Sequence, residues 1–172
     1  MRLKGKHILL RALEPEDIDL LYAWENDTKN WNVSNTQTPF SRFLLEQYIT
    51  TSHVDIYSAK QLRLMICKLE GTAVGSIDLF DFDPNHLRAG IGILIAEKTD
   101  RRKGYASEAL DLLVRYSFEL LNLHQLYCNI TTDNESSILL FQKHGFQITG
   151  IKKQWIRNGN EYKDELLLQL IR

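Results

Sequence analysis

Apolar residues along this chain recur in two rhythms, and the places where one yields to the other outline its elements. Short apolar runs with a period near two, bounded by turn residues, predict strands over 7–13, 62–69, 72–82, 89–96, 124–131, 147–157 and 162–171. A period near 3.6 predicts helices between them. Pro15, followed by Glu16 and Asp17, opens a helix to about Asn26, with Ile18, Leu21, Tyr22 and Trp24 phased along it. Pro39 and Ser41 open a second through Thr51. The helix over 105–121 is the clearest. Ala106, Ala109, Leu110, Leu113, Ser117 and Leu120 share one face, and Glu108, Asp111, Arg115 and Glu119 fall opposite. Asn134 is the N-cap of a helix reaching His144, with Gly145 just past its end.

The turns complete the outline. Glu70-Gly71 and Asp83-Pro84-Asn85 close hairpins, and Asn158-Gly159 joins the last two strands. The predicted order is β-α-α-β-β-β-α-β-α-β-β. This is an α/β protein, an α+β mixed sheet covered by helices and not a doubly wound one. No repeat, linker or low-complexity tract interrupts it, so residues 1–172 are expected to form one domain.

Composition narrows the classes of function. With 44% hydrophobic and 25% charged residues, the chain is of ordinary globular type. A net charge of -1 speaks against a nucleic-acid partner held by bulk electrostatics. No apolar run approaches the roughly 18 to 20 residues of a membrane span. The basic start, Met1-Arg2-Leu3-Lys4-Gly5-Lys6, lacks the apolar stretch of a secretory signal. Cys67 and Cys128 each fall inside an apolar strand and are expected to be buried free thiols, which suits the cytoplasm. Five histidines without ligand spacing give no reason to expect a metal. Self-association is left open.

The candidate chemistry centres on Arg101-Arg102-Lys103-Gly104-Tyr105-Ala106, between an apolar strand and the clearest helix. The first amides of a helix lack intrahelical partners, and the helix dipole favours an anion there. Gly104 lets backbone approach a ligand, and three cations add charge. No Gly-x4-Gly-Lys-Ser/Thr occurs, which disfavours a P-loop. Gly90 and Gly92 lie within a strand, which disfavours a dinucleotide fold.

Arg-x-x-Gly-x-Ala resembles the pyrophosphate loop of the GNAT-type N-acetyltransferases. Asn134, opening a helix that ends Lys143-His144-Gly145-Phe146, is similar to a second segment of that family. Leu10-Arg11-Ala12-Leu13-Glu14-Pro15-Glu16-Asp17, Trp24-Glu25-Asn26-Asp27, Asn30-Trp31, and Asn158-Gly159 with Glu161-Tyr162 look like bacterial spermidine/diamine N-acetyltransferases. The resemblance covers nearly the whole chain. It implies the GNAT fold and acetyl-CoA as co-substrate, with the diphosphate on the Arg101–Ala106 loop. The pantetheine arm would lie along Ile93, Leu94, Ile95 and Ala96, with Asn134 and Ser137 beside it.

The implied reaction is direct attack of a primary amine, foremost a polyamine, on the thioester. In the family a Tyr seven residues after the Asn often protonates the leaving thiolate, but here that position is Phe141. A Glu on the fourth strand often serves as base, but here its place falls at Gly90 or Gly92. No catalytic acid or base carries over, and Ser137, Asp78 and Glu25 are the remaining candidates. Tyr105, Tyr127 and Tyr162 are further hydroxyls. The amine is expected near Trp24, Trp31 and an acidic lip of Asp78, Asp81 and Asp83, along one strand and its end. The stretch 33–45 is poor in acid, against a second polyamine site there. Two alternatives stay open: an N-terminal acetyltransferase of a protein or peptide, and a catalytically silent acyl-CoA-binding protein.

Overall fold

Seven strands form one sheet in the order β1-β2-β3-β4-β5-β7-β6. A computed structural model of the chain describes residues 3–34 and 36–172, with the backbone alone for 32–34. The strands are β1 (Ile8–Ala12), β2 (Leu62–Lys68), β3 (Ala73–Asp83), β4 (Arg88–Ile95), β5 (Gln125–Thr131), β6 (Gln147–Asn158) and β7 (Glu161–Ile171). Every neighbouring pair is antiparallel except β4 and β5, which run parallel.

The helices are α1 (Ile18–Glu25), α2 (Thr28–Ser34), α3 (Arg42–Thr51), α4 (Ile56–Ala59), α5 (Tyr105–Glu119) and α6 (Glu135–Lys143). The predicted order holds, with two additions. α2 and the four-residue α4 were not expected from the sequence, since Asn, Ser, Asp and Lys in 27–35 and 52–60 give no apolar period. The last hairpin also turns one residue later than expected. Asn158 pairs with Glu161, so Gly159 (φ 63°) and Asn160 make the loop.

β2 shows why its apolar run is continuous rather than alternating. Leu64 and Ile66 face a core shared with α5, whereas Met65 and Cys67 face a second core with Leu21 of α1 and Leu45 and Ile49 of α3. The sheet is thus covered on both faces. Leu110, Leu112 and Leu113 of α5 are fully buried, and Leu120, assigned to that face by sequence, is half exposed. Cys67 and Cys128 are buried and unbridged.

Two polar devices set the helices that flank the site. Arg11 on β1 donates both Nη1 and Nη2 to Asp17 at 2.7 Å, and the Glu14 N–H donates to the same carboxylate at 2.9 Å. Asp17 is buried, so this clamp anchors the entry to α1. Between α5 and α6, the His144 ring joins Ser107 Oγ (2.8 Å) and Asp111 (3.0 Å). Among the described residues, no helix is long and apolar enough to cross a membrane.

Candidate active site

The parallel ladder between β4 and β5 is three residues long, Arg88–Gly90 against Gln125–Tyr127. Beyond Gly90 the two strands part, while β4 stays paired with β3 out to Ile95. The Ala96 N–H donates to Val74 O at 3.0 Å. Strand alternation therefore turns Gly92, Leu94 and Ala96 toward β3 and leaves the peptide groups of Ile93 and Ile95 on the open edge. Of the four edge residues expected from sequence, these two present backbone to an incoming strand-like ligand. Arg101 Nε takes up the Ile95 carbonyl at 3.2 Å.

At the end of that edge sits the basic loop. Arg102 (φ 62°) and Gly104 (φ 85°) are both left-handed, which folds the loop back on itself before α5 begins. Gly104 is the N-cap and supplies no side chain, so the first-turn amides of Tyr105, Ala106 and Ser107 have no side-chain cap. A Cβ built on Gly104 meets nothing within 4 Å, so the glycine serves its backbone angle and leaves open space before the amides. Asp100 takes Lys68 at 3.2 Å and Lys103 at 3.5 Å, which ties the two lysines beside the loop. Uncapped amides, three cations and an open approach fit a diphosphate.

The gap between the half-sheets opens into a cleft of about 550 Å³. Gly92, Ile93 and Leu94 form one wall, and Cys128–Thr131 with Asn134, Ser137 and Phe141 the other. Asn134 Oδ1 accepts the Ser137 N–H at 3.3 Å and caps α6, which leaves its amide N–H groups outside the cap. Phe141 is buried and packs edge-on against Phe146 at 5.0 Å. Gly90 is closed to a larger residue, because a Cβ there would lie 2.2 Å from the Phe80 ring. The ring of Phe80 fills the space a side chain on that strand would need.

One end of the cleft carries Trp24, Glu25, Asn30, Arg63 and Asp78. Arg63 forks onto Asp78 through Nε (2.8 Å) and Nη2 (2.9 Å) and gives Nη1 to Glu25 (2.5 Å). The opposite wall carries Lys152, Trp155, Ile156 and Glu165. Lys152 pairs with Glu165 at 2.5 Å and lies 5.2 Å from the Trp155 ring centre. A bulge in β6 between Lys152 and Ile156 brings Trp155 to the rim, with Asp164 accepting the Gln154 N–H at 2.8 Å.

The acidic lip expected from sequence does not form. Asp78 and Asp81 are three positions apart, which sets them on opposite faces of a strand, and a bulge between Phe80 and Asp83, with Asp81 at φ 47°, then turns Asp81 and Asp83 away from each other's alternation. Asp78 lines the cleft. Asp81 accepts the Tyr127 hydroxyl at 3.1 Å, and Asp83 accepts the Asn85 and His86 N–H groups and pairs with Arg88. Neither Asp81 nor Asp83 is among the cleft residues. Trp24 lines the cleft, whereas Trp31 lines a neighbouring hollow and donates Nε1 to the Glu25 carbonyl at 2.8 Å. Of the stretch 33–45, Asn35 and the side chains of Val33 and Ser34 lie outside the described residues.

Sequence reasoning passed over Arg63, Lys152 and Glu165. A charge within an apolar strand, as in Leu62-Arg63-Leu64-Met65, was the available signal for Arg63. The titrating groups divide by surroundings. Burial pushes the Cys128 thiol up to about 12, so it is inert at neutral pH. Burial and the Asp81 carboxylate push the Tyr127 hydroxyl up to about 12 as well. Glu25, Asp78, Glu165 and Ser137 also line the cleft.

A splayed parallel strand pair, an open β edge and an uncapped basic helix start are the marks of an acyl-CoA-dependent transferase. The sequence profile of the acetyltransferase (GNAT) domain matches residues 7–147, and the chain belongs to that family. It is an acetyl-CoA-dependent N-acetyltransferase. Spermidine N(1)-acetyltransferase of Escherichia coli (strain K12) is 26% identical over 163 residues, 92% of this chain and 83% of that protein. An uncharacterised N-acetyltransferase of Bacillus subtilis (strain 168) is 29% identical over 168 residues, 93% of this chain and 91% of its own. The crystal structure of the Vibrio cholerae spermidine N-acetyltransferase in complex with CoA and spermine superposes with a TM-score of 0.88. It is 22% identical, and the match covers 97% of this chain and 96% of that one.

Proposed function

We propose that this protein acetylates a primary amine of a polyamine or similar small amine, by direct attack of the neutral amine on the thioester. The observation that carries this is the meeting in one cleft of the open β4 edge with Glu25 and Asp78. Two of the relatives above are spermidine acetyltransferases, which favours a polyamine as acceptor.

The residues divide the work. Amides of Tyr105, Ala106 and Ser107, with Arg101, Arg102 and Lys103, hold the diphosphate. Ile93 and Ile95 bond the pantetheine amides as an added strand, and the Asn134 amide reaches the same arm. A backbone N–H of the open edge faces the thioester oxygen. Trp24, Glu25 and Asp78 receive the amine, and Glu25 or Asp78 accepts its proton through water. Nitrogen bonds to the acetyl carbon, the carbon–sulfur bond breaks, and the thiol is released. Phe141 has no proton to give, so Ser137 is the nearest hydroxyl on α6. A thiol pKa near that of Cys, about 8.5, lets the thiolate leave with little acid help.

The setting is the reducing cytoplasm, in keeping with two unbridged cysteines. Self-association through the exposed twelve-residue edge strand β6, with Ile148, Ile151 and Trp155 on its surface, completes the proposal. Light scattering on a sizing column reads the subunit number.

An amine panel with acetyl-CoA and a free-thiol readout tests the activity. Thiol release with spermidine or putrescine is expected. Acetylation of peptide N-termini with none of either amine would overturn the acceptor. Acetyl-CoA binding without transfer to any amine of the panel would move the acceptor outside small amines.

A further inference from the structure

Carboxylates that collect ammonium groups normally stand free in a cleft. Here the two at the acceptor end do not, because Arg63 lies between them and bonds both. The cluster still faces the cleft, with side-chain exposures of 23% for Arg63, 20% for Glu25 and 26% for Asp78. The guanidinium also lies 5.6 Å from the Tyr48 ring centre, on α3. It cannot swing away without stranding two half-buried carboxylates. The arrangement comes from the sheet. Arg63 and Asp78 are cross-strand partners on β2 and β3, and Glu25 reaches them from the end of α1.

One cation against two carboxylates leaves a single uncompensated negative charge at this end. The opposite wall does not add to it, since Lys152 neutralises Glu165 and also holds Asn129 at 2.9 Å. A cleft of this charge holds one ammonium well. A second ammonium of the same molecule meets Arg63 at short range with no free carboxylate to offset it.

We propose that Arg63 is a specificity-determining residue that limits the acceptor end to one ammonium group. The acceptor enters end-on. Cationic groups beyond the attacking nitrogen add little to its capture, so a monoamine and a polyamine of equal reach are taken nearly alike. This rests on the reading of the cleft as an amine-acceptor site.

The test compares butylamine and putrescine, which carry one and two amines on the same four-carbon chain, with spermidine, which adds an aminopropyl arm and a third amine. kcat/KM is measured for each at saturating acetyl-CoA, and calorimetry gives the Kd of each for the CoA-loaded protein. In the wild type, both measures are expected to differ less than tenfold between spermidine and butylamine. In Arg63→Met the spermidine-to-butylamine ratio is expected to rise at least tenfold, about 1.4 kcal/mol. Arg63→Lys, which keeps the charge and loses the fork, should stay near the wild-type ratio. A packing defect alone would lower all three amines together, and an unchanged ratio in Arg63→Met overturns the assignment.

If Arg63→Met does not fold, Glu25→Gln serves in its place. It removes the one uncompensated charge, and the Kd for butylamine should rise at least tenfold, whereas an unchanged Kd overturns the proposal. A wild type that binds the amines with a flat ratio but transfers to none of them defeats the acceptor reading and supports the role of Arg63. Transfer with a steep wild-type preference for spermidine does the reverse, and binding of no amine overturns both.

Discussion

Phe141 and Gly104 show how much a single side chain, or its absence, decides. Phe141 lines the cleft and packs edge-on against Phe146, so its ring is held on two sides. Phe141→Tyr adds one hydroxyl to a buried ring that lines the cleft. The variant should keep its fold and gain rate, because it sets a phenolic proton donor beside the leaving thiolate; a rate profile against pH reads it. No gain at any pH would place the ring away from the sulfur. Gly104 has a left-handed backbone and open space around it. Gly104→Val should cost about 1–2 kcal/mol of backbone strain. It should also weaken acetyl-CoA at least tenfold, about 1.4 kcal/mol, by calorimetry. Legibility differs at this scale. The loop could be read because its chemistry is local in sequence. Arg63, Glu25 and Asp78 could not be read as a cluster, because residues 38 and 15 positions apart meet only after β2 and β3 pair. The lip of Asp78, Asp81 and Asp83 was misread because Asp78 and Asp81, three positions apart, fall on opposite faces, and a bulge then resets the faces of Asp81 and Asp83.

Among the elements, strands and long helices were visible from their periods, and α5 above all. α2 and α4 were not, since helices of seven and four residues are too short to display an apolar stripe. The open edge of β4 was expected only through resemblance; its physical cause is that the ladder with β5 stops at Gly90. α6 offers a clean separation of roles, because Asn134 both caps the helix and lines the cleft. Asn134→Asp keeps the capping oxygen and removes the N–H donors. It should leave denaturation midpoints nearly unchanged yet raise the Kd for acetyl-CoA. Asn134→Ala should lose about 1 kcal/mol of stability as well. Equal Kd values for Asn134→Asp and wild type would remove the amide from the binding account.

The whole molecule depends on acid through Asp17. Burial pushes its carboxyl up, but the Arg11 guanidinium and the Glu14 N–H outweigh that and hold it below the usual carboxylate range. A depressed folded pKa gives stability that is present above the unfolded value, about 3.9, and is lost as pH falls through the folded one. Melting curves from pH 6 downward should therefore steepen below about pH 4. Asp17→Asn should flatten that slope and cost about 2 kcal/mol at neutral pH, because Arg11 keeps partial access to water. An unaltered acid slope would move the effect to other carboxylates.

The three-residue ladder between β4 and β5 has a mechanical meaning. It is the spine of a book. One cover, β1 to β4, carries the basic loop and the Arg63 cluster, and the other, β5 to β7, carries Asn134, Glu165 and Trp155. A molecule of acetyl-CoA laid along the open edge touches both covers and acts as a clasp. Peptide hydrogens of Ile93 and Ile95 should then exchange with deuterium far more slowly in the loaded protein. Those of Ile8–Ala12, at the far edge of one cover, should keep their pace, so that the ligand is felt as a closing of the gap and not as a stiffening of the page.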